Sequence, residues 1–373
     1  MRILHFISSP AAGGAELYVR DLAISMQEEG HDVHIVFLQT AAESCRDLRF
    51  EKEFIETLTA EGISYSFIGK AARKRPWLGV FRLRKTVKSF NPDLVHCHLY
   101  YALLFSFFLF GVPVVYTHHN IKLGLPKFLY HLFDYKVSFY VAICNACKKS
   151  ISGGLRPVVK INNGVSKKRM RLSNMVGSYS FSGITFVFVG SLCEQKNLDL
   201  MFEAFRAFRH KDVRLLIVGE GPYRERLENL AASLEIDQRV EFLGNITDVC
   251  GVLAQSDVFL MSSAWEGLPI ALIEATLAGL PVVVTNVGGC AEVVHQCANG
   301  FVVDSFDSSD YIMALRKMVD DEPLRASFAR NAQAFSSEFE IETSVEKHLN
   351  LYQTIITLGS GGQSAPKIDS SGK

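Results

Sequence analysis

No second cysteine pair accompanies Cys144-Asn-Ala-Cys147, so a paired CxxC metal site is excluded and core packing is the expected use of these thiols. His96-Cys97-His98 is too dense for a metal-site spacing. Neither half carries a complete GxGxxG turn: Pro222 interrupts Gly219-Glu220-Gly221, which argues against a dehydrogenase. The most apolar window, residues 99–117, approaches the length of a membrane span, but Gly111-Val112-Pro113 splits it. It reads as a buried helix followed by a buried strand. No nucleic-acid-binding module is visible, so nucleic acid is not an expected partner. A signal peptide is also missing, because Arg2 leads at once into a short strand-like run. The eight cysteines are scattered through apolar sequence, which favours reduced thiols and a cytoplasmic protein.

Charge is balanced overall but unevenly spread. Residues 1–172 carry 24 basic against 13 acidic residues, a net of +11, and the remainder carries 15 against 26, a net of −11. Between Glu61 and Asp93 there is no acid at all. Lys70, Arg73, Lys74, Arg75, Arg82, Arg84, Lys85 and Lys88 fall there, interleaved with Trp77, Phe81 and Phe90. Such a stretch serves either as a solvated helix face or as a patch resting on anionic headgroups with apolar side chains dipping in.

The order of elements is that of two successive α/β units. RILHFIS (2–8), a glycine-rich turn, a helical stretch over 15–30 and VHIVFL (33–38) open a doubly wound domain. Further strands are expected at 94–97, 114–117 and 140–144, and the polar stretch 165–183 is the linker candidate. The pattern restarts at ITFVFVG (184–190), with helices over 198–209 and 224–234 and strands at 213–221, 240–244, 258–263, 281–286 and 301–303. Uninterrupted apolar strands indicate parallel sheets covered on both faces. Two such domains place a ligand cleft between the carboxyl ends of their sheets.

Several polar groups fall at those carboxyl ends. Gly13-Gly14 lies between the first strand and its helix, where the backbone can approach an anion. In the second half, Lys196 follows Gly190-Ser191-Leu192, a position that suits a diphosphate, although a lone lysine there is more often a surface residue. The stretch Glu266-Gly267-Leu268-Pro269-Ile270 precedes a helix over 270–278, with Pro269 suited to its first turn and Glu274 inside it. Backbone N–H groups of Gly267, Leu268 and Ile270 then face the cleft. Glu266 and Glu274 are either acceptors for sugar or ribose hydroxyls, or ordinary acids at a helix end.

The eight-residue spacing from Glu266 to Glu274, in the setting EGLPIALIEATLAGLPVVVTNVGG, resembles the E-x7-E motif of retaining glycosyltransferases of family GT4, which have the GT-B fold. The similarity also rests on GGAE (13–16), VHCH (95–98), Thr117–Asn120, NGV (163–165), VGSLCEQKN (189–197), VGEGP (218–222) and VEFLG (240–244). It implies two Rossmann-like doubly wound domains: residues 1–165 binding the acceptor and 166–337 binding a nucleotide sugar. A helix over 338–358 would cross back, and the Gly/Ser-rich tail 359–373 is expected to be disordered.

By the same resemblance, Lys196 would bind the donor diphosphate, Glu266 the transferred sugar and Glu274 the ribose. Gly267 to Ile270, including Leu268 and Pro269, would hold sugar and phosphate through their backbone. Gly14 would reach across from the first domain, and Ile246 would line the base. His119, rather than His118, aligns with the active-site histidine. Ser191 stands where many members carry a second cation, arginine, so leaving-group charge must be met elsewhere. No Asp-x-Asp occurs, so neither a metal nor any other cofactor is expected, and the diphosphate would be met by Lys196 and the helix N-terminus.

The implied activity is metal-independent transfer of a hexose-type sugar, with retention, to a glycan or lipid-linked acceptor. UDP is favoured over GDP as the nucleotide. The basic stretch, with Arg73, Lys74, Arg75, Trp77, Arg82, Arg84 and Lys85, would dock on the inner face of the membrane. The alternatives are another GT-B enzyme, such as a sugar-nucleotide epimerase, and a non-catalytic sugar-nucleotide-binding subunit.

Overall fold

The computed structural model describes residues 1–44, 46–171, 181–246 and 248–361. Its first sheet holds β1 (Arg2–Ile7), β2 (Asp32–Phe37), β3 (Ser64–Phe67), β4 (Leu94–Cys97), β5 (Val114–His118), β6 (Val137–Ala142) and β7 (Val158–Lys160). They lie in the order β3-β2-β1-β4-β5-β6-β7 with all pairings parallel. The second sheet holds β8 (Ile184–Val189), β9 (Val213–Val218), β10 (Val240–Gly244), β11 (Val258–Met261), β12 (Val282–Thr285) and β13 (Gly300–Val303). Its order, β10-β9-β8-β11-β12-β13, is again wholly parallel.

In each sheet the strand order reverses beside the first strand, between β1 and β4 and between β8 and β11. Crevices at such reversals are where open α/β sheets bind ligands. The central strands are apolar because helices cover both faces: β4, β11 and β12 are buried along their whole length. Two strands escape a reading based on apolar runs. β3 is the edge strand Ser-Tyr-Ser-Phe, half polar, and β7 has only three residues.

Four expectations need correction. The helix within 99–110 spans only Tyr100–Ser106, and Phe107, Phe108 and Phe110 beyond it are exposed, Phe110 by 79%. The helix expected over 198–209 ends at Phe205 and continues as a 3-10 turn, Arg206–Phe208. The stretch 165–183 is not simply a linker, because Lys167–Arg171 forms a helix; residues 172–180 lie outside the described residues. The last helix, Ile341–Gly361, runs three residues into the expected disordered tail, and the remainder of that tail lies outside the described residues.

This last helix packs on the first helix, Gly14–Glu28, where the Tyr18 hydroxyl meets Ser344 Oγ at 2.8 Å. About two turns further on, the buried Tyr352 hydroxyl reaches His96 Nδ1 at 2.5 Å. Among the described residues no helix is long and apolar enough to cross a membrane. The seven described cysteines are free thiols, and Cys144 and Cys147 are core residues.

Candidate active site

Between the carboxyl ends of the two sheets lies a cleft of about 1110 Å³. Its lining includes Gly14 and His119 from the first domain, and Ser191, Lys196, Ile246, Gly267, Leu268, Pro269, Ile270 and both glutamates from the second. The residues singled out for donor binding thus come together in one place.

The loop after β8 sets Lys196. Glu194–Lys196 forms a 3-10 turn, Asn197 takes a left-handed conformation (φ 46°), and the helix Leu198–Phe205 follows. Ser262 Oγ, from the end of β11, donates to the carbonyls of Lys196 and Asn197 at 3.0 and 2.9 Å. Lys196 Nζ is thereby aimed at Glu266 Oε1, 2.6 Å away. Glu266 is 5% exposed and also accepts from Gln195 Nε2 (3.1 Å) and Ser263 Oγ (2.8 Å). A buried carboxylate requires such partners. Ser191, lining the cleft beside Lys196, is exposed.

Glu274 sits in the helix Ile270–Leu277, one turn past the start, and is 4% exposed. Pro269 is the residue before this helix rather than its first helical residue. Arg169 Nη1 donates to Glu274 Oε1 at 2.6 Å, and its Nε donates to Asp21 Oδ2 at 3.0 Å. One guanidinium thus ties the helix Ile270–Leu277 to the first helix of the first domain. The two carboxylates raise its pKa, and its Nη2 is buried without a hydrogen-bond partner.

The loop Glu266–Ile270 is clamped by the first domain. Asn163 Nδ2 donates to the Leu268 carbonyl at 3.1 Å, and Cys144 Sγ lies 3.7 Å from the Gly267 carbonyl. Gly267 itself is required by close approach, since a Cβ there would fall 2.4 Å from the His119 carbonyl oxygen. On the opposite side, a Cβ on Gly14 would stand 3.3 Å from Ile270 Cγ1.

His119 follows β5 and borders the cleft, while His118 is buried at the strand's end with Nδ1 3.2 Å from the Tyr116 hydroxyl. Burial pushes the pKa of His119 down to about 3, helped by neighbouring His118 and His348. His119 is therefore neutral at pH 7. Its Nε2 pairs with His98 Nδ1 at 3.1 Å.

The basic stretch lies away from this cleft on two helices, Ala71–Lys74 and Pro76–Phe90. Arg73, Lys74, Arg75, Arg84 and Lys85 are exposed, as are Trp77 (66%) and Phe81 (68%). Arg82 is also exposed but spends its guanidinium on the Ile68 carbonyl, and Arg73 lies over the Tyr101 ring at 5.3 Å. Phe108 and Phe110 line the same groove as Trp77 and Phe81, so the exposed aromatics of two distant segments form one surface.

Sequence reasoning missed Asp21, Arg169, Gln195, Asn163 and the histidines behind His119. Arg169 lies in a Lys/Arg run that looks like a solvated linker, and its two acidic partners are 105 and 148 residues away. Gln195 had a usable signal, standing beside Lys196 in the same turn.

Residues 182–335 match the family described as glycosyl transferases group 1, and residues 12–169 match glycosyltransferase family 4. The UDP-Gal:alpha-D-GlcNAc-diphosphoundecaprenol alpha-1,3-galactosyltransferase of Escherichia coli is 27% identical over 299 residues, covering 72% of this chain and 77% of that one. The N-acetyl-alpha-D-glucosaminyl L-malate synthase of Bacillus anthracis is 22% identical, covering 95% and 97%. The crystal structure of Anabaena HepE in complex with UDP-glucose superposes with a TM-score of 0.80 at 21% identity, covering 95% and 100%, which shows the shared fold. With both halves matched in order and both sheets in place, the chain belongs to the group 1, GT4-type glycosyltransferases and has their GT-B fold.

Proposed function

We propose that this glycosyltransferase moves a hexose-type sugar from a UDP-linked donor to a glycan or lipid-linked acceptor, with retention at the anomeric carbon and without a metal or other cofactor. One observation carries this reading: two buried carboxylates, Glu266 and Glu274, flank the N-terminus of one helix, each held by a cation that a polar donor can replace or share. Glu266 would take hydroxyls of the transferred sugar and Glu274 those of the ribose. Lys196 and the backbone of Gly267 to Ile270 would hold the diphosphate, with Gly14 closing over it and Ile246 against the base. UDP complexes of HepE and the naming of the Escherichia coli relative support a UDP donor.

In the reaction, the glycosidic C–O bond to the β-phosphate breaks as the acceptor hydroxyl attacks from the same face. The departing phosphate oxygen takes the acceptor proton, so no side-chain base is needed. Lys196 and the helix N-terminus, acting in place of the arginine absent at Ser191, meet the charge that grows on the phosphate. His119, neutral and beside Gly267, would border the anomeric carbon.

The groove of Trp77, Phe81, Phe108 and Phe110, rimmed by Arg84 and Lys85, would rest on an anionic membrane surface, bringing a lipid-linked acceptor to a cytoplasmic enzyme. Trp77→Ala with Phe81→Ala should abolish co-sedimentation with vesicles containing an anionic lipid while leaving the melting temperature unchanged. Undiminished vesicle binding would remove the membrane from the account.

Proton NMR of the product formed from a panel of UDP- and GDP-sugars tests the reaction. The expected product from a UDP-sugar keeps the donor's anomeric configuration and forms equally well in EDTA. An inverted product, a GDP requirement or dependence on a divalent ion would each overturn that part of the proposal.

A further inference from the structure

Behind His119 the first domain buries a row of imidazoles that the reaction described above does not use. His5, on β1, and His98, just past β4, are wholly enclosed. His5 Nδ1 lies 3.0 Å from His98 Nε2, and His98 Nδ1 lies 3.1 Å from His119 Nε2. His5, His96 and His98 crowd closely enough to suggest a metal site. Both nitrogens of His96 are already taken, however, by the Tyr352 hydroxyl at 2.5 Å and Thr117 Oγ1 at 2.6 Å. Both nitrogens of His98 are taken by its two neighbouring rings. A metal would have to break these bonds.

The proton count along the row is constrained. Burial lowers the pKa of all three rings far below neutrality, so each carries one N–H. His98 can then donate to one neighbour only and must accept from the other, which forces all donors to point the same way. In one register His5 carries its proton on Nε2, a buried atom with no hydrogen-bond partner. In the other, His5 donates from Nδ1 to His98, His98 donates to His119 Nε2, and His119 carries its proton on Nδ1. An orphaned N–H deep in a core is the rarer and costlier defect. Both end atoms, His5 Nε2 and His119 Nδ1, are buried without a partner, so each register leaves one N–H unpaired; only the second places it on a ring that borders the cleft, where a bound ligand can accept it.

We propose that His98 and His5 are positioning residues that lock the His119 ring and hold it as the Nδ1–H tautomer, a hydrogen-bond donor to an oxygen of the bound sugar or its phosphate. This rests on the donor-site reading above. Tyr18, edge-on to the His119 ring at 5.8 Å, completes the seat.

The test combines imidazole ¹⁵N NMR with kinetics on the full chain. In wild type, His119 should show a protonated Nδ1 and a bare Nε2. His98→Phe should mix the His119 tautomers and lower kcat about 10- to 100-fold, as loss of ring placement does, while UDP alone binds as in wild type. His98→Asn, whose amide N–H can replace the donor to His119, should restore the tautomer and bring kcat to within about fivefold of wild type, the cost of one imperfect hydrogen bond. Protonation of His119 at Nε2 in wild type, unchanged kcat in His98→Phe, or one equivalent of transition metal in the purified protein would each overturn the proposal. If wild type failed to bind UDP, the donor-site reading would fall instead, and the tautomer of His119 would still decide this one.

Discussion

On the first-domain side of the cleft, Thr117, His96, His98, His5 and His119 are held by hydrogen bonds between neutral groups, and among the described residues no ion pair reaches these rings. On the second-domain side, Glu266 and Glu274 are buried and each meets a cation at 2.6 Å. Neutral imidazoles avoid the desolvation of charge and fix geometry. Buried ion pairs gain little net stability but become costly when one partner is removed. One wall is therefore suited to positioning and the other to exchanging a cation for a charged, hydroxyl-rich ligand. Arg169 joins the two, because its second carboxylate, Asp21, belongs to the first domain.

The sharpest way to break this contrast is to remove a cation from the charged wall. Lys196→Ala should lower kcat about 10²- to 10³-fold, the scale seen when one donor to a developing oxyanion is lost. Near-normal turnover would show that the lysine only neutralises Glu266. Arg169→Ala should cost about 3–5 kcal/mol in urea unfolding by stranding Glu274 and Asp21. Adding Glu274→Gln should recover part of that loss, and strict additivity of the two changes would deny the coupling.

The neutral wall should respond to pH instead. His5 and His119 are pushed down to about 3 and His348 to about 4, chiefly by burial. Their folded pKa values lie below the unfolded value of 6.5, so the unfolded chain binds more protons between these limits. The associated stability is complete above pH 6.5 and is lost as pH falls below it, at up to about 1.4 kcal/mol per pH unit for each ring. Urea midpoints should be flat from pH 8 to 7 and fall steeply from 6.5 to 5. A flat profile through pH 5 would mean that these rings are not buried as neutral groups.

The two sheets were legible because parallel strands covered on both faces leave continuous apolar runs, as in β8 and β12. β3 and β7 were not, being a half-polar edge and a three-residue strand. Glu266, Gly267, Pro269 and Glu274 could be placed together because they lie within one strand–loop–helix segment. His5, His98 and His119 could not, since three separate strands deliver them, and Arg169 acts through partners far away in sequence. Local chemistry shows in a sequence, whereas contacts made by topology do not. Phe108 and Phe110 carry a related lesson: the helix Tyr100–Ser106 buries Ala102, Leu103 and Phe105 as its apolar run suggests, but the end of that run joins Trp77 and Phe81 at a surface.

The central claim is that the charged wall receives the nucleotide sugar, and calorimetric titration with UDP and a UDP-sugar addresses it most directly when wild type is compared with Glu274→Gln. Wild type should bind both ligands, and Glu274→Gln should weaken both alike, because the ribose is common to them. Equal binding by the two proteins, or no binding by either, would contradict the assignment of Glu274 and with it the account of this wall.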